Sequence, residues 1–243
     1  MPRKKIQLTN GEIYHIVLRA VGDTEVFVDN SDYYRGIFSI YEFNSSNFVE
    51  IWRRRRDRMT EKKIDKTVGS PTPHNLNVAD KRNKLVDVWA FAFMPNHVHL
   101  LVKQTKDNGI TKFMQKVGGG YANYFNKKYK RRGHLFNQFL AIHINNDDQF
   151  RNVFAYIHAN PVSLIEPGFK ENGIVNRRKA FKFLENYKWS SYQDYIGKKN
   201  FQSVANRDFL LETFGGYVGC KNIMKNWLEY KGKPRDFSNI ILE

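Results

Sequence analysis

The sequence predicts an α+β fold built on an antiparallel sheet. Three observations carry that expectation. Apolar residues alternate with period two between Glu12 and Val21. Two strand-like stretches meet at a tight turn at Pro95-Asn96. Long segments elsewhere repeat apolar residues every three to four positions.

In chain order, Tyr14, Ile16 and Leu18 fall on one face of the first strand. A helix follows, with Tyr34, Ile37, Phe38 and Tyr41 as its expected buried stripe and Asp29, Asn30 and Ser31 as capping candidates. From about residue 43 to 84 the pattern gives way to a basic run and then Gly69-Ser70-Pro71-Thr72-Pro73, which reads as an inserted loop with a short helix near Trp52. Leu85 to Met94 is apolar on both parities and suits a central strand. Met94-Pro95-Asn96 turns the chain, so His97 to Lys103 returns as the antiparallel partner. Ile110, Phe113, Met114, Val117, Tyr121, Tyr124 and Phe125 trace a long helix. Gly118, Gly119 and Gly120 each cost it about 1 kcal/mol relative to alanine, which predicts a kink, a break or a close backbone approach. Leu135 to Ile144 is strand-like. Asn146-Asp147-Asp148 then caps a helix whose stripe is Phe150, Val153, Phe154 and Ile157, and Pro161 ends it near residue 160. Small helices are expected around Asp208 to Phe214 and Cys220 to Tyr230.

Composition bounds the partners. The 243 residues, 41% hydrophobic and 15% aromatic, suffice for one globular domain with elaborations. No apolar run approaches the roughly 20 residues needed to cross a bilayer, and the basic start at Arg3, Lys4 and Lys5 lacks the apolar stretch of an export signal. The expectation is a cytoplasmic protein without a membrane partner. A single cysteine, Cys220, excludes an intramolecular disulfide and a multi-cysteine zinc site. Forty Lys and Arg against 24 Asp and Glu leave a formal charge of +16, which points to a polyanion. The candidate DNA-binding residues are Arg3, Lys4 and Lys5; Arg53, Arg54, Arg55 and Arg56; and Lys127, Lys128, Lys130, Arg131 and Arg132.

Side chains two apart on a strand share a face, so His97 and His99 present two imidazoles side by side. Such a pair can clamp a metal ion, and can equally hydrogen-bond on a polar face. Tyr156 and Asn160, four apart on a helix, also share a face and are expected to flank its buried stripe. A tyrosine there can attack a phosphodiester, and an asparagine carbonyl can complete a hard-metal site. A tyrosine near a helix end is also ordinary packing.

The stretch Met94-Pro95-Asn96-His97-Val98-His99-Leu100-Leu101-Val102 resembles the His-hydrophobic-His motif of IS200-like single-tyrosine transposases, including the REP-associated tyrosine transposases. Further landmarks resemble that family in order: Tyr14-His15-Ile16 with Arg19, Tyr121-Ala122 with Phe125-Asn126, Gly133-His134-Leu135-Phe136, Tyr156 to Val162, and Trp189-Ser190-Ser191-Tyr192. They cover roughly residues 8 to 200. The resemblance implies a ferredoxin-like antiparallel sheet with helices packed on it. It also implies a transposase domain over residues 1–200 with the basic insertion at about 43–84, and a small helical C-terminal extension over 201–243. His97, His99 and Asn160 would hold one divalent ion, Mg or Mn. Tyr156 would be the nucleophile that cuts single-stranded or hairpin DNA and leaves a 5′-phosphotyrosine. His15, His134, His143 and His158 rank behind the motif pair as ligands. A protein that binds structured DNA without cleaving it is the alternative, and a replication-initiator or relaxase-type nickase a further one. The sequence leaves monomer and homodimer open.

Overall fold

The computed structural model describes residues 7–50, 53, 56 and 82–229. Four strands, β1 (Ile13–Arg19), β2 (Val86–Met94), β3 (His97–Gln104) and β4 (Leu140–His143), form one sheet in the order β2-β3-β1-β4. Every neighbouring pair is antiparallel. Helix α1 (Asn30–Glu42) connects β1 to β2, and α2 (Gly109–Lys128) connects β3 to β4. Two strand–helix–strand units interleaved in this order make the sheet ferredoxin-like. Helix α3 (Asp147–Ala159), a 3-10 turn (Asn160–Leu164) and the helices α4 (Phe169–Asn172), α5 (Arg177–Asn186), α6 (Tyr192–Tyr195), α7 (Asp208–Phe214) and α8 (Gly216–Glu229) complete the described chain.

Strand alternation divides the interior into two cores. Tyr14, Ile16 and Leu18 pair in register with Val102, Leu100 and Val98, and with Phe91 and Phe93 they meet α1 and α2 on one face. Ala90, Ala92 and Leu101 line the other face under α3. The two alanines leave room for that helix to lie close to the sheet. On its outer side α3 meets α8, so Val153 to Ala159 is buried all round. Leu210, Phe214, Cys220, Met224 and Trp227 share this second core, which places the helices of residues 208–229 against α3.

The structure corrects several local expectations. Helix α1 is rotated from its predicted phase: Ile37 and Ile40 are buried, while Tyr34 is 46% exposed. Gly36 sets the phase, because a Cβ there would stand 2.5 Å from Phe93 Cε1 and 2.8 Å from Phe27 Cε1. Of the kink, break or close approach expected at the three glycines of α2, the close approach is the one found: the helix runs unbroken, and a Cβ at Gly120 would meet the Phe43 ring. Of the segment 135–144 only Leu140–His143 is strand, with an isolated bridge from Phe136 to Ala20.

The two ends of the expected insertion are pinned together. Buried Asn44 accepts the N–H groups of Leu85 (3.0 Å) and Val86 (3.1 Å) at its side-chain oxygen and donates to Val86 O (2.8 Å). The Ser46 N–H adds a bond to Asn83 O at 2.8 Å. The Gly69–Pro73 loop lies outside the described residues. Among those residues no helix is long and apolar enough to cross a membrane.

Candidate active site

The hairpin turn at Pro95-Asn96 sets the parity of β3, and that parity aims His97 and His99 at the face covered by α3. In register with them on β1 stand Arg19, opposite His97, and Val17, opposite His99. His15 is the diagonal neighbour of His99 on the same face. Helix α3 brings Tyr156, and its end brings Asn160, over this face.

The side chains converge. His97 Nε2 and His99 Nε2 are 3.0 Å apart, and the Asn160 amide nitrogen is 2.9 Å from His99 Nε2. The Tyr156 ring stands edge-on to His99 at 5.6 Å and to His15 at 5.9 Å. His15, His99 and Tyr156 have no solvent exposure, Asn160 has 1%, and His97 has 6%. The structure thus corrects one expectation about α3. Tyr156 and Asn160 do not flank its buried stripe but lie inside it, because the sheet covers one side of the helix and α8 the other.

The hydrogen bonds define the imidazoles. His97 Nδ1 faces Asn96 Oδ1 at 2.6 Å, which places its proton on Nδ1 and a lone pair on Nε2. His99 Nδ1 lies 3.0 Å from His15 Nε2, and when it donates there its Nε2 also carries a lone pair. In the tautomers that leave a lone pair on each Nε2, the two nitrogens 3.0 Å apart can both turn to one cation between them. The spacing fits one ion: two metal–nitrogen bonds of about 2.1 Å meeting at a right angle put their nitrogens about 3.0 Å apart. A half-turn of the Asn160 amide would present its oxygen to the same point. Among the described residues no group of three or more His, Cys, Asp and Glu side chains is placed to hold a metal. An ion here would rest on two imidazoles, the amide and oxygens from substrate or water.

The remaining histidines divide by environment. His158 points away from Tyr156 and bonds Ser191 Oγ at 2.8 Å. Burial lowers its pKa from 6.5 to about 3, so it is neutral. His143 is paired with Glu12 at 2.7 Å at the far end of β4, and His134 is exposed.

Two cations stand at the site. The Lys170 ammonium, carried on α4, donates to Tyr156 Oη at 3.2 Å. Arg19, beside His97, makes a 3.6 Å ion pair with Asp23. In the sequence Arg19 stands only within a family landmark, and Lys170 stands in none. Of the predicted DNA-binding residues, Arg53 and Arg56 are exposed, as are Lys127, Lys130 and Arg132. Arg131 is half-buried and donates to His134 O at 3.0 Å. Lys128 is committed internally: its ammonium lies 2.7 Å from both Asp29 and buried Asp32, joining α2 to the N-terminus of α1. The hydrogen bond from Lys128 holds the Asp29 carboxyl well below the usual carboxylate range. The segment after α2 returns to the His97 end of the sheet through Val21 N–H to Leu135 O (3.0 Å) and Asn137 N–H to Arg19 O (2.9 Å). Arg3, Lys4, Lys5, Arg54 and Arg55 lie outside the described residues.

The sequence model of the family described as "Transposase IS200 like" matches residues 43–160. That stretch holds His97, His99, Tyr156 and Asn160, so the chain is similar to IS200-like transposases where its candidate chemistry lies. No curated protein matches it. Among solved structures it is similar to a REP-associated tyrosine transposase bound to a REP hairpin, with 12% identity and a TM-score of 0.48, covering 83% of this chain and 90% of that one. It is also similar to a bacterial tRNA(His) guanylyltransferase-like protein in complex with ATP, with 10% identity and a TM-score of 0.38, covering 78% and 77% of the two chains. Both likenesses are distant, and the fold assignment rests on strand order and pairing.

Proposed function

We propose that this chain is a metal-dependent single-stranded DNA endonuclease and strand transferase, a transposase-type enzyme that cuts hairpin-bearing DNA through a 5′-phosphotyrosine on Tyr156. One observation carries the reading: His97 Nε2 lies 3.0 Å and the Asn160 amide nitrogen 2.9 Å from His99 Nε2, beside the Tyr156 ring, in a stretch similar to IS200-like transposases.

In this reading His97, His99 and Asn160 hold Mg or Mn, and His15 and Asn96 fix the imidazoles from behind. A bound ion would polarise the scissile phosphate and offset charge that builds on its oxygens. Tyr156 Oη attacks phosphorus, the P–O3′ bond breaks, and the 3′ oxygen leaves as a hydroxyl. The energy of the phosphodiester is kept in the tyrosyl ester, so a 3′-hydroxyl can later reverse the step without an outside energy source. The positive charge, with Lys127, Lys130 and Arg132 exposed, suits tracking of phosphates.

The burial of Tyr156 favours a second reading, a protein that binds structured DNA without productive cleavage. One assay separates the two. The protein is incubated with Mn and single-stranded hairpin oligonucleotides taken from the sequence flanking its gene, and covalent adducts are resolved on a denaturing gel. Cleavage predicts an adduct that disappears with Tyr156→Phe and with chelator. Tight hairpin binding without any adduct would establish the second reading instead.

A further inference from the structure

We propose that Lys170 is a further catalytic residue, the cation that stabilises negative charge on the Tyr156 oxygen as it attacks phosphorus and as it departs when strands are rejoined. The proposal rests on the reading of Tyr156 as nucleophile.

The first observation is contact. Lys170 Nζ lies 3.2 Å from Tyr156 Oη and 5.4 Å from the centre of its ring, so the ammonium is seated at the one atom that would bond to phosphorus. The second is that the loop carrying Lys170 is held in place. After the 3-10 turn, Val162 O accepts the N–H groups of Ile165 and Glu166 at 2.9 and 2.8 Å. The Glu166 carboxylate then accepts those of Val175 (2.8 Å) and Asn176 (3.1 Å), which closes the loop at its far end. Phe169, next to Lys170, is buried in the core beside α8, with its ring 6.4 Å from that of Trp227. Lysine on a tethered loop with a buried neighbour is positioned before any substrate arrives.

The chemistry needs such a group. A phenol attacks well only as its oxygen acquires phenolate character, and the Lys170 ammonium donates to that oxygen while His99 stands edge-on to the ring. In the forward step the phenolic proton is lost to solvent and an oxygen electron pair forms the O–P bond. The P–O3′ bond breaks, and the 3′ oxygen takes a proton from solvent. The protons cancel and no redox partner is required. Lys170 stays protonated throughout and donates its hydrogen bond to an oxygen that is most negative between the bonded states. A charge-assisted hydrogen bond of this kind strengthens in the transition state, so its loss should slow the step about ten- to a hundredfold.

The test compares wild type, Lys170→Met and Lys170→Arg in single-turnover adduct formation with saturating hairpin DNA and Mn, alongside hairpin affinity and melting temperature. Methionine keeps the length and packing of the side chain without its charge. The expected result is a rate lowered about ten- to a hundredfold in Lys170→Met with affinity and melting unchanged, and largely restored in Lys170→Arg. The adduct formed by Lys170→Met should also rejoin to a 3′-hydroxyl strand with a comparable deficit, since the same oxygen departs. A wild-type rate in Lys170→Met, or a defect confined to DNA affinity, overturns the role of Lys170 and leaves the nucleophile standing. Absence of any adduct in wild type defeats both.

Discussion

Replacing His15 by phenylalanine tests how the proposed metal clamp is held. His15 is fully buried and stacked on His99 with ring centres 5.2 Å apart, so Phe preserves the ring contact. What it removes is Nε2, the atom 3.0 Å from His99 Nδ1. When His99 Nδ1 donates to it, loss of that acceptor strands the N–H in a dry interior and leaves the ring free to carry its proton on Nε2, where the proposed ion would bind. Partners behind a metal-bound imidazole are worth about 10- to 100-fold in metal affinity, or about 1.4 to 2.7 kcal/mol. Titration calorimetry with Mn should therefore give a Kd raised by that factor in His15→Phe, with the melting temperature of the metal-free protein reported alongside. His15→Gln, which restores an acceptor oxygen, should recover part of the loss. Wild-type affinity in His15→Phe would refute the reasoning, as would a Gln variant no better than Phe.

Three further outcomes are expected. The His158 pKa of about 3 lies below its ordinary 6.5, so between those values the unfolded chain takes up a proton that the folded one refuses. Above pH 6.5 the group contributes nothing. Below it stability falls by about 1.4 kcal/mol per pH unit, about 2 kcal/mol by pH 5, and urea midpoints measured across that range should fall less steeply in His158→Gln. Asn44→Ala strips three hydrogen bonds from the start of β2 and should cost about 2 to 3 kcal/mol in chemical denaturation, with no change in metal affinity. Gly109→Ala would put a Cβ 2.2 Å from Leu85 O, a backbone atom that cannot swing aside, and should destabilise by about 2 kcal/mol despite alanine's better helix propensity.

Much of this was legible in the sequence because period and punctuation report on backbone. The alternation at Tyr14, Ile16 and Leu18, the Pro95-Asn96 turn and the Asn146 cap each have a local cause, and each element stands where its cause put it. The parity of His97 and His99 follows from the same logic. What escaped was decided by packing between distant elements. The phase of α1 depends on Phe27 and Phe93 pressing on Gly36, and Gly120 in α2 admits the Phe43 ring from a distant segment. Tyr156 looks like a flanking residue on a lone helix and is buried because the sheet face carrying His15 and His99 stands against its ring and Lys170 against its hydroxyl. His15 stood in a recognised landmark, yet its bond to His99 needs the register of β1 against β3. Lys170 carries no local signal, since only the fold of residues 160–176 takes it to Tyr156. Lys128 reads as one more surface charge until Asp29 and Asp32 stand opposite it.

The most direct measurement of the central claim is to digest the covalent complex and locate the nucleotide on the protein by tandem mass spectrometry. The expected product is a peptide containing Tyr156 that carries the 5′ phosphate of the cut strand, formed only with divalent metal and lost in His97→Ala and His99→Ala. A nucleotide on any other residue, or full adduct formation without the two histidines, would contradict it.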